Sequence, residues 1–264
     1  MKYKNRIKLS IVIATTREKY LYRCLESISI QSLKDIQVIV INDKPNDSSL
    51  EKKIEELSNT FDFTYIKNKK NIGVSATRNI GIDNAKGEYL YYLDDDDYLF
   101  DYYNKNNQLE KICSILDNDK TDLCIFRLDR IPFQIFNEEL KNIKVISYLD
   151  FIGNFGIYTL RAMGNKIFRT EYLRKNNIRF KEGFVAEDDH LLLAQLPYLN
   201  PRVSLCNDTV FIYCQHDGER ITKSSKYKED SVTIINEILD KLEKSSLSEE
   251  VKLRIKNCMV KKRG

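Results

Sequence analysis

Three features of the sequence predict an α/β fold with a mostly parallel central sheet, flanked by helices and followed by C-terminal helices. Short β-rich runs recur about every 26 residues in the first third of the 264-residue chain, with helical patterns between them. One run, IQVIVI, is apolar at almost every position, as a strand covered on both faces must be. Two stretches with helical periodicity follow near the end. Such alternation is typical of repeated β-α-β units.

The predicted strands of the first third occupy residues 9–14, 36–41, 61–66 and 89–93. Between the first two, apolar side chains recur at i, i+3, i+4 and i+7 from Leu21 to Ile28, which predicts a helix. A further helix is predicted over 102–116 and a further strand over 122–128. Beyond that strand, scattered glycines indicate long loops over the sheet edge.

Composition limits the classes of partner and compartment. Charged residues make up 31% of the chain, but the formal net charge is only +4, so nucleic acid is not expected as a partner. The six cysteines are spread singly without a C-x-x-C pair, which predicts reduced, buried side chains in a cytoplasmic protein. No run of roughly 18 apolar residues is present, so no transmembrane helix is predicted.

Two helices are predicted near the C-terminus. The first begins near Tyr227 and has five apolar side chains on one face, namely Val232, Ile235, Ile238, Leu239 and Leu242. The second begins at Glu249 and is basic, with Lys252, Arg254, Lys256, Lys261, Lys262 and Arg263. These basic side chains form either a solvated face or an anchor on anionic lipid. The second alternative would place the protein peripherally at the inner face of the cytoplasmic membrane.

Four consecutive aspartates, Asp94 to Asp97, follow the apolar run EYLYYL. Like charges this close repel one another, so a fold that gathers them where a strand ends usually neutralises them with a cation. We therefore expect a divalent metal here, and an acidic turn that caps the next helix is the alternative. Neither a P-loop nor a G-x-G-x-x-G follows the first strand, so a nucleotide has to be held in another way.

Polar residues also follow the first two predicted strands, and the carboxyl ends of parallel strands meet at one edge. Asp43 can accept a hydrogen bond from the imide N–H of a nucleobase, with help from Thr15, although each also fits an ordinary strand-ending residue. The segment NIGVSATRNIG, at 71–81, predicts a helix that presents N–H groups and the Arg78 guanidinium to an anion. A packed helix with an exposed arginine is the alternative.

A second acidic cluster, Glu187, Asp188 and Asp189, precedes the apolar run LLLAQL. A carboxylate near a helix N-terminus is stabilised as the anion, and a general base must be unprotonated to act. N-capping alone explains one acidic residue there, but less readily three. His216 is either an additional metal ligand or a plain surface histidine.

The order of these motifs resembles that of the inverting family 2 glycosyltransferases, which have a GT-A-type, Rossmann-like fold. The matching segments are LSIVIATTR, VIVINDK, NIGVSATRNIG, GEYLYYLDDDDYL, NKIFRTEYL, IRFKEGFVAEDDHLL and FIYCQHDGERITKSS. They extend from residue 7 to about 225 and are densest from 7 to 98. The chain departs from the family at Ala14, where Pro is frequent, at 16–17, where Tyr-Asn is common, and at Asn42 and Lys44, where Asp and Gly are usual.

The resemblance implies how the donor is held. Thr15 and Asp43 would hold the nucleobase, and Arg78 would lie near the donor. Asp95 belongs to the same donor-binding group, which also includes Asp94 and Asp96.

The resemblance also implies metal and catalytic roles. Asp94 and Asp96 take the two D-x-D positions, with Asp96 as the direct metal ligand, Asp94 nearer the ribose or sugar, and His216 as a further ligand. Asp97 would support the loop, and Asp188 takes the place of the catalytic base.

The implied activity is inverting, non-processive transfer of a hexose or N-acetylhexosamine from a UDP-sugar, with Mn2+ or Mg2+, to a hydroxyl of a bacterial surface glycan or glycolipid of the lipooligosaccharide or capsule type. Processive members carry a Q-x-x-R-W motif, whereas this chain has no Trp. Residues 1–100 would bind the nucleotide sugar, 101–225 would bind the acceptor and carry catalysis, and 226–264 would form a helical extension. A sugar nucleotidyltransferase and a non-catalytic nucleotide- or glycan-binding module are the alternatives.

Overall fold

The computed structural model describes residues 6–100, 107–128, 145–155, 163–184, 188–214 and 225–260. Nine strands in these ranges form one sheet: β1 (Leu9–Thr15), β2 (Ile36–Asn42), β3 (Thr64–Lys67), β4 (Tyr89–Tyr92), β5 (Tyr98–Leu99), β6 (Leu123–Leu128), β7 (Val145–Ser147), β8 (Lys166–Arg169) and β9 (Arg202–Ile212). The helices in the same ranges are α1 (Leu21–Ser29), α2 (Ser48–Ser58), α3 (Val74–Asn84), α4 (Gln108–Asp119), α5 (Tyr148–Phe155), α6 (Thr170–Lys175), α7 (Asp188–Leu193), α8 (Leu196–Leu199), α9 (Ser225–Glu243) and α10 (Glu249–Val260).

The strand order of the sheet is β3-β2-β1-β4-β8-β6-β9-β5, and β7 pairs with β9. The neighbouring pairs among β3, β2, β1 and β4 are parallel, as expected for β-α-β units. β8 runs antiparallel to both β4 and β6 and so connects the N-terminal half of the sheet to the rest. The predicted α/β fold with a large, mostly parallel central sheet flanked by helices is confirmed.

Each face of the sheet is covered by a buried apolar cluster. Along β1, Ile11 and Ile13 belong to one cluster and Val12 to the other, because successive side chains of a strand point to opposite faces. α3, α5, α9 and α10 contribute to the Val12 cluster, and α1, α2 and α4 to the opposite one. β1 is therefore buried on both sides, which explains its continuous apolar sequence.

The backbone of α3 lies directly against β1. A Cβ atom at Gly81 would lie 2.4 Å from Cγ1 of Val12, so this contact requires a residue without a side chain. The helix begins after Gly73, whose φ of 88° falls in the region that glycine tolerates best. These two glycines determine where α3 starts and how closely it approaches the sheet, and therefore where Arg78 lies.

Most predicted strand boundaries agree with the structure to within one residue, but the third strand starts later than predicted. The N–H of Phe61 donates to the carbonyl of Leu57 at 2.9 Å, which closes the turn after α2, and the Phe61 ring packs against Tyr22. Residues 61–63 therefore precede β3. The helix predicted over 102–116 corresponds to α4, while residues 101–106 lie outside the described ranges.

The C-terminal helices pack onto the Val12 cluster. Ile234, Ile238 and Leu242 of α9 and Ile255 of α10 are buried in it. The predicted apolar face of α9 is wrong at Val232, which is 51% exposed, because Ile234 faces the core in its place.

The basic residues of α10 have acidic partners in the described part of the helix. Arg254 pairs with Glu250 at 2.7 Å, Lys252 pairs with Glu249 at 2.9 Å, and Lys256 pairs with Glu243 of α9. Lys261, Lys262 and Arg263, which are also part of the predicted basic surface, lie outside the described ranges. Across those ranges, none of the helices has the length and apolar character needed to cross a bilayer.

The cysteines agree with the prediction where their side chains are described. Cys24, Cys113, Cys124 and Cys206 are buried free thiols, and Cys214 is half-buried. Burial raises the pKa of Cys24 and Cys124 well above the ordinary value, as expected for thiols that fill apolar space.

Candidate active site

Three strand ends meet at one edge of the sheet. β1 ends at Thr15, β2 at Asn42 and β4 at Tyr92, and because these strands are parallel neighbours the segments that follow them lie side by side. The N–H of Asp43 donates to the carbonyl of Thr15 at 2.9 Å, which joins the first two of these segments. The polar clusters expected at this edge are therefore brought together.

Asp95 ties the acidic run to the end of β1. Its carboxylate is 4% exposed and accepts hydrogen bonds from Thr15 Oγ1 and Arg17 Nη2, both at 2.7 Å. Burial raises the pKa of Asp95, and the charge of Arg17 opposes that rise. Arg17 Nη2 also donates to Asp96 Oδ2 at 2.8 Å, so one guanidinium compensates two of the four carboxylates.

Asp94, Asp96 and Asp97 form a candidate metal centre. One carboxylate oxygen from each residue lies within 4.8 Å of the other two. Clustered carboxylate oxygens suit hard divalent cations such as Mg2+ and Mn2+. Burial raises the pKa of Asp97 to about 8, and repulsion from Asp94 and Asp96 adds to the rise. The loop thus concentrates negative charge that a cation would stabilise, and the residues present fit a divalent ion.

Arg78 connects the acidic loop to the start of α7. Its Nη2 donates to Asp94 Oδ1 at 2.7 Å, while Nη1 donates to Asp188 Oδ2 at 2.5 Å and to Asp189 Oδ1 at 2.9 Å. Burial would lower the pKa of Arg78, but the charges of Asp188, Asp94 and Asp189 outweigh it and raise the pKa well above the ordinary value. A buried guanidinium is stable here because it has three anionic partners.

Asp188 and Asp189 open α7 and differ in their surroundings. The Asp188 side chain is 16% exposed, so one edge of its carboxylate reaches the cleft. Asp189 Oδ2 accepts a hydrogen bond from the N–H of Met163 at 3.1 Å, which links α7 to the segment before β8. Burial and the charge of Asp188 raise the pKa of Asp189 to about 6, and Arg78 opposes the rise. Asp188 is therefore the better placed of the two to meet a ligand.

Lys166 is a fully buried cation at the start of β8. Its Nζ donates to Asn165 Oδ1 at 2.8 Å. Burial lowers the pKa of Lys166 to about 7, although attraction to Asp189 works in the opposite direction. Asp189 thus experiences two cations, Arg78 and Lys166.

Asp43 is buried at the end of β2 and holds the loop that leads into α3. Its Oδ1 accepts hydrogen bonds from Asn68 Nδ2 at 2.8 Å and from the N–H of Ile72 at 2.9 Å, and its Oδ2 accepts from the N–H of Gly73 at 2.8 Å. The structure thus places Asp43 at the expected edge and gives it a local role. Its contact with a nucleobase stays a prediction.

The structure brings together most of the predicted site residues and adds three that sequence reasoning missed. Thr15, Asp95 and Asp96 meet through Arg17, and Arg78 meets Asp94 and Asp188. The missed members are Arg17, which stands at a position where the family commonly has Asn; Asp97, which was expected only to support the loop; and Asp189, the third acidic residue of its cluster. The last two were recognisable as extra carboxylates that capping leaves unexplained. Glu187 and His216 lie outside the described ranges.

Comparison with known proteins places the chain in a family. Residues 10–176 match the family model for glycosyl transferase family 2. The chain is 25% identical over 260 residues to the poly(ribitol-phosphate) beta-N-acetylglucosaminyltransferase TarS of Staphylococcus aureus, covering 94% of this chain and 43% of that protein. It is 30% identical over 205 residues to the cholesterol galactosyltransferase of Borreliella burgdorferi, covering 71% and 54% respectively. The chain thus spans about half the length of these relatives.

Solved structures show the same fold. A crystal structure of S. aureus TarS 1-349 in complex with UDP-GlcNAc superposes with a TM-score of 0.78 at 24% identity, over 96% of this chain and 71% of that one. The mannosyltransferase PcManGT from Pyrobaculum calidifontis, solved with GDP-Man and Mn2+, gives a TM-score of 0.66 at 12% identity, over 95% and 68%. The chain has the GT-A fold and belongs to glycosyl transferase family 2.

Proposed function

We propose that the protein is an inverting, non-processive glycosyltransferase that moves a hexose or N-acetylhexosamine from a UDP-sugar to a hydroxyl of a bacterial surface glycan or glycolipid. The observation that carries this proposal is the Arg78 bridge, which joins the acidic loop to Asp188 at one edge of a GT-A fold. The names of the relatives support it, since one acts on poly(ribitol-phosphate) and another on cholesterol. The UDP-GlcNAc in the TarS structure supports UDP as the nucleotide.

A divalent ion, Mn2+ or Mg2+, is assigned to the carboxylates of Asp94, Asp96 and Asp97, whose oxygens lie within 4.8 Å of one another. When bound, the ion would neutralise the charge that develops on the diphosphate leaving group. The Mn2+ in the PcManGT structure supports this assignment. A contribution of His216 to the same ion stays a prediction.

Asp188 is assigned as the general base. Its Oδ2 accepts from Arg78 Nη1 at 2.5 Å, so we assign Oδ1 as the atom that takes the proton of the acceptor hydroxyl. A single displacement from the face opposite the leaving group needs only one such base, and it inverts the anomeric configuration. Thr15 and Asp43 are assigned to the nucleobase, and Arg78, Asp94 and Asp95 to the neighbourhood of the donor.

The proposed site of action is the cytoplasm, where buried free thiols stay reduced. Contact with anionic lipid through the basic C-terminal residues is a further part of the proposal. Because Arg254 and Lys256 have acidic partners, the positively charged residues from 261 onward would have to provide most of that contact.

The function is tested by incubating the protein with UDP-Glc, UDP-Gal, UDP-GlcNAc or UDP-GalNAc, with Mn2+ or Mg2+ and with EDTA. We expect slow, metal-dependent release of UDP from one or two of these donors, because water replaces the acceptor inefficiently. Release of pyrophosphate from UTP and a sugar phosphate would instead identify a nucleotidyltransferase. UDP binding without turnover on any donor or acceptor would identify a binding module.

A further inference from the structure

A groove of about 750 Å³ lies along α3, outside the acidic loop. We call it the α3 groove. Its walls include the first turn of α3, the turn at 182–184 and Lys226 in the first turn of α9. The candidate metal ligands, Asp188 and Arg78 are not among the described residues that line it. The groove is therefore a separate feature of the surface, next to the proposed active site.

The first turn of α3 presents an uncompensated positive end to this groove. Its N-cap is Gly73, which forms no side-chain cap hydrogen bond, and no acidic residue lies in the first turn. The first N–H groups of a helix have no partner within the helix, and the helix dipole adds partial positive charge there. A Cβ atom placed on Gly73 would meet nothing within 4 Å, so the space beside this turn is open. An anion can therefore approach it.

Ser75 provides an independent indication of a ligand. It lines the groove in the second position of α3, is only 1% exposed, and its Oγ has no hydrogen-bond partner in the described structure. A buried hydroxyl without a partner costs free energy, so native structures rarely leave one. Because Oγ turns about a single bond beside the N–H groups of the first turn, a bound oxyanion would satisfy it.

The charges along the groove favour an anion at its α3 end. Lys70 precedes that end, and Lys226 lines the groove from α9, whose first turn also lacks an acidic residue. The two acidic residues of the lining already have partners: Asp83 pairs with Arg179 at 2.6 Å, and Glu182 accepts from Asn79 Nδ2 at 3.1 Å. The unbalanced charge of the groove is therefore positive.

We propose that the α3 groove binds a phosphate group of the acceptor. This inference rests on the proposed function, since a transferase needs an acceptor that reaches Asp188. The turn at 182–184, which forms one wall, precedes α7 and its first residue Asp188 by only a few positions. An acceptor chain that carries phosphodiesters could place one phosphate at the first turn of α3 and a hydroxyl in the cleft beyond.

The binding test uses the 15N-labelled full chain with saturating UDP and Mg2+, so that the donor site is filled. Dimethyl phosphate, a minimal phosphodiester, is titrated while the amide resonances of residues 73–76 are recorded, and inorganic phosphate is titrated in parallel. We expect saturable shifts with the diester that become about fivefold weaker when Lys70→Gln and Lys226→Gln are combined, because two nearby positive charges are lost. Lys53→Gln combined with Lys244→Gln is the matched control and should bind like the parent chain.

Ser75→Ala separates a binding role from a folding role. Because the Ser75 hydroxyl has no partner in the described structure, its removal should leave thermal stability unchanged or raised while weakening dimethyl phosphate. With phosphate-bearing and neutral acceptors of the same sugar, the lysine variants should raise KM for the charged acceptor more than for the neutral one.

Three results would overturn the proposal: no saturable shift at 73–76, equal affinities in the lysine variants and their control, or displacement of the diester by UDP. Binding of inorganic phosphate without the diester would also overturn it, because the ligand would then be free phosphate. The binding arm needs no turnover. Diester binding without any transfer would therefore count against the proposed function and not against this site.

Discussion

Arg78 is the residue on which the geometry of the candidate site depends. Its guanidinium contacts Asp94, Asp188 and Asp189, which lie 16, 110 and 111 positions away in the chain. Hydrogen bonds between charged groups contribute about 1.5–3 kcal/mol each, and a buried charge that loses a partner is costly. The three carboxylates are therefore coupled, and a change at one should alter the orientation of the others.

Asp189→Asn tests that coupling at a residue that we expect to act by positioning Arg78. The substitution keeps a hydrogen-bond acceptor but removes a charge between Arg78 and Lys166, so transfer should fall about ten- to a hundredfold. The affinity for UDP and the binding stoichiometry from calorimetry should change little. Asp240→Asn, at an exposed residue of α9 paired with Lys244, is the control and should behave like the parent chain. A matching loss of stoichiometry in Asp189→Asn would point to damage of the fold.

Asp96→Ala tests the candidate metal centre. Removing one of three clustered carboxylates should weaken Mn2+-dependent binding of UDP about tenfold or more, while the weak binding in EDTA stays the same. Calorimetry with and without Mn2+ measures the difference. Asp62→Ala, in the exposed loop before β3, removes the same charge elsewhere and should have no such effect. Equal metal dependence in both variants would rule out Asp96 as a ligand.

At the scale of elements, the site depends on how α3 sits on β1. Gly81 allows the helix backbone to touch Val12, and Gly73 provides the conformation that starts the helix. Arg78 lies between these two glycines on the same helix, so the length and placement of α3 set its reach towards Asp94 and Asp188.

Gly81→Ala should therefore destabilise the protein despite the better helix propensity of alanine. The added methyl overlaps Val12, and overpacking of this kind costs about 1–3 kcal/mol, more than the gain of about 1 kcal/mol from propensity. Urea unfolding measures the change in the free energy of unfolding. Gly73→Ala, where no atom lies within 4 Å, isolates the backbone strain of a positive φ. An unchanged midpoint in Gly81→Ala would show that α3 can move away from β1 freely.

The regular elements could be predicted from the sequence, whereas the long-range contacts could not. β1, β2, β4 and β6 carry continuous apolar runs that reveal buried strands, and α3 follows a recognisable glycine-bounded segment. β5 has only two residues, and β8 and β9 lie in the irregular second half, so their patterns are too short or too mixed to read. Proximity of Asp188 to Arg78 depends on the order of strands in the sheet, and local periodicity contains no information about that order.

At the scale of the whole molecule, one sheet with two covered faces holds the N-terminal and C-terminal parts of the proposed site together. β4 pairs with β8, and β8 pairs with β6, so the acidic loop after β4 and the segment before α7 belong to the same sheet. The C-terminal helices pack on the Val12 cluster. The family match favours a glycosyltransferase over the nucleotidyltransferase that the acidic loop alone left open.

The stability of the whole protein should carry a pH dependence that originates at Lys166. Burial lowers its pKa to about 7 in the folded state, below the ordinary lysine value of 10.5, so the unfolded chain binds more protons between these values. The contribution of Lys166 to stability should therefore rise by about 2–4 kcal/mol from pH 7 to pH 9.5.

Lys166→Met isolates this contribution, because the other titrating groups are common to both chains. Urea unfolding at pH 7 and pH 9.5 should show that the parent chain gains stability relative to the variant as the pH rises. A difference between the two chains that is independent of pH would mean that Lys166 keeps its ordinary pKa in the folded protein.

The most direct test of the account is transfer by Asp188→Asn, measured with the donor that the UDP-release screen identifies. We predict that transfer falls by roughly a hundredfold to ten-thousandfold, because the acceptor hydroxyl loses its general base, while calorimetry shows nearly unchanged metal-dependent binding of UDP. Asp240→Asn should retain full transfer in the same assay. Transfer by Asp188→Asn at the rate of the parent chain would contradict the assignment of Asp188 as the base.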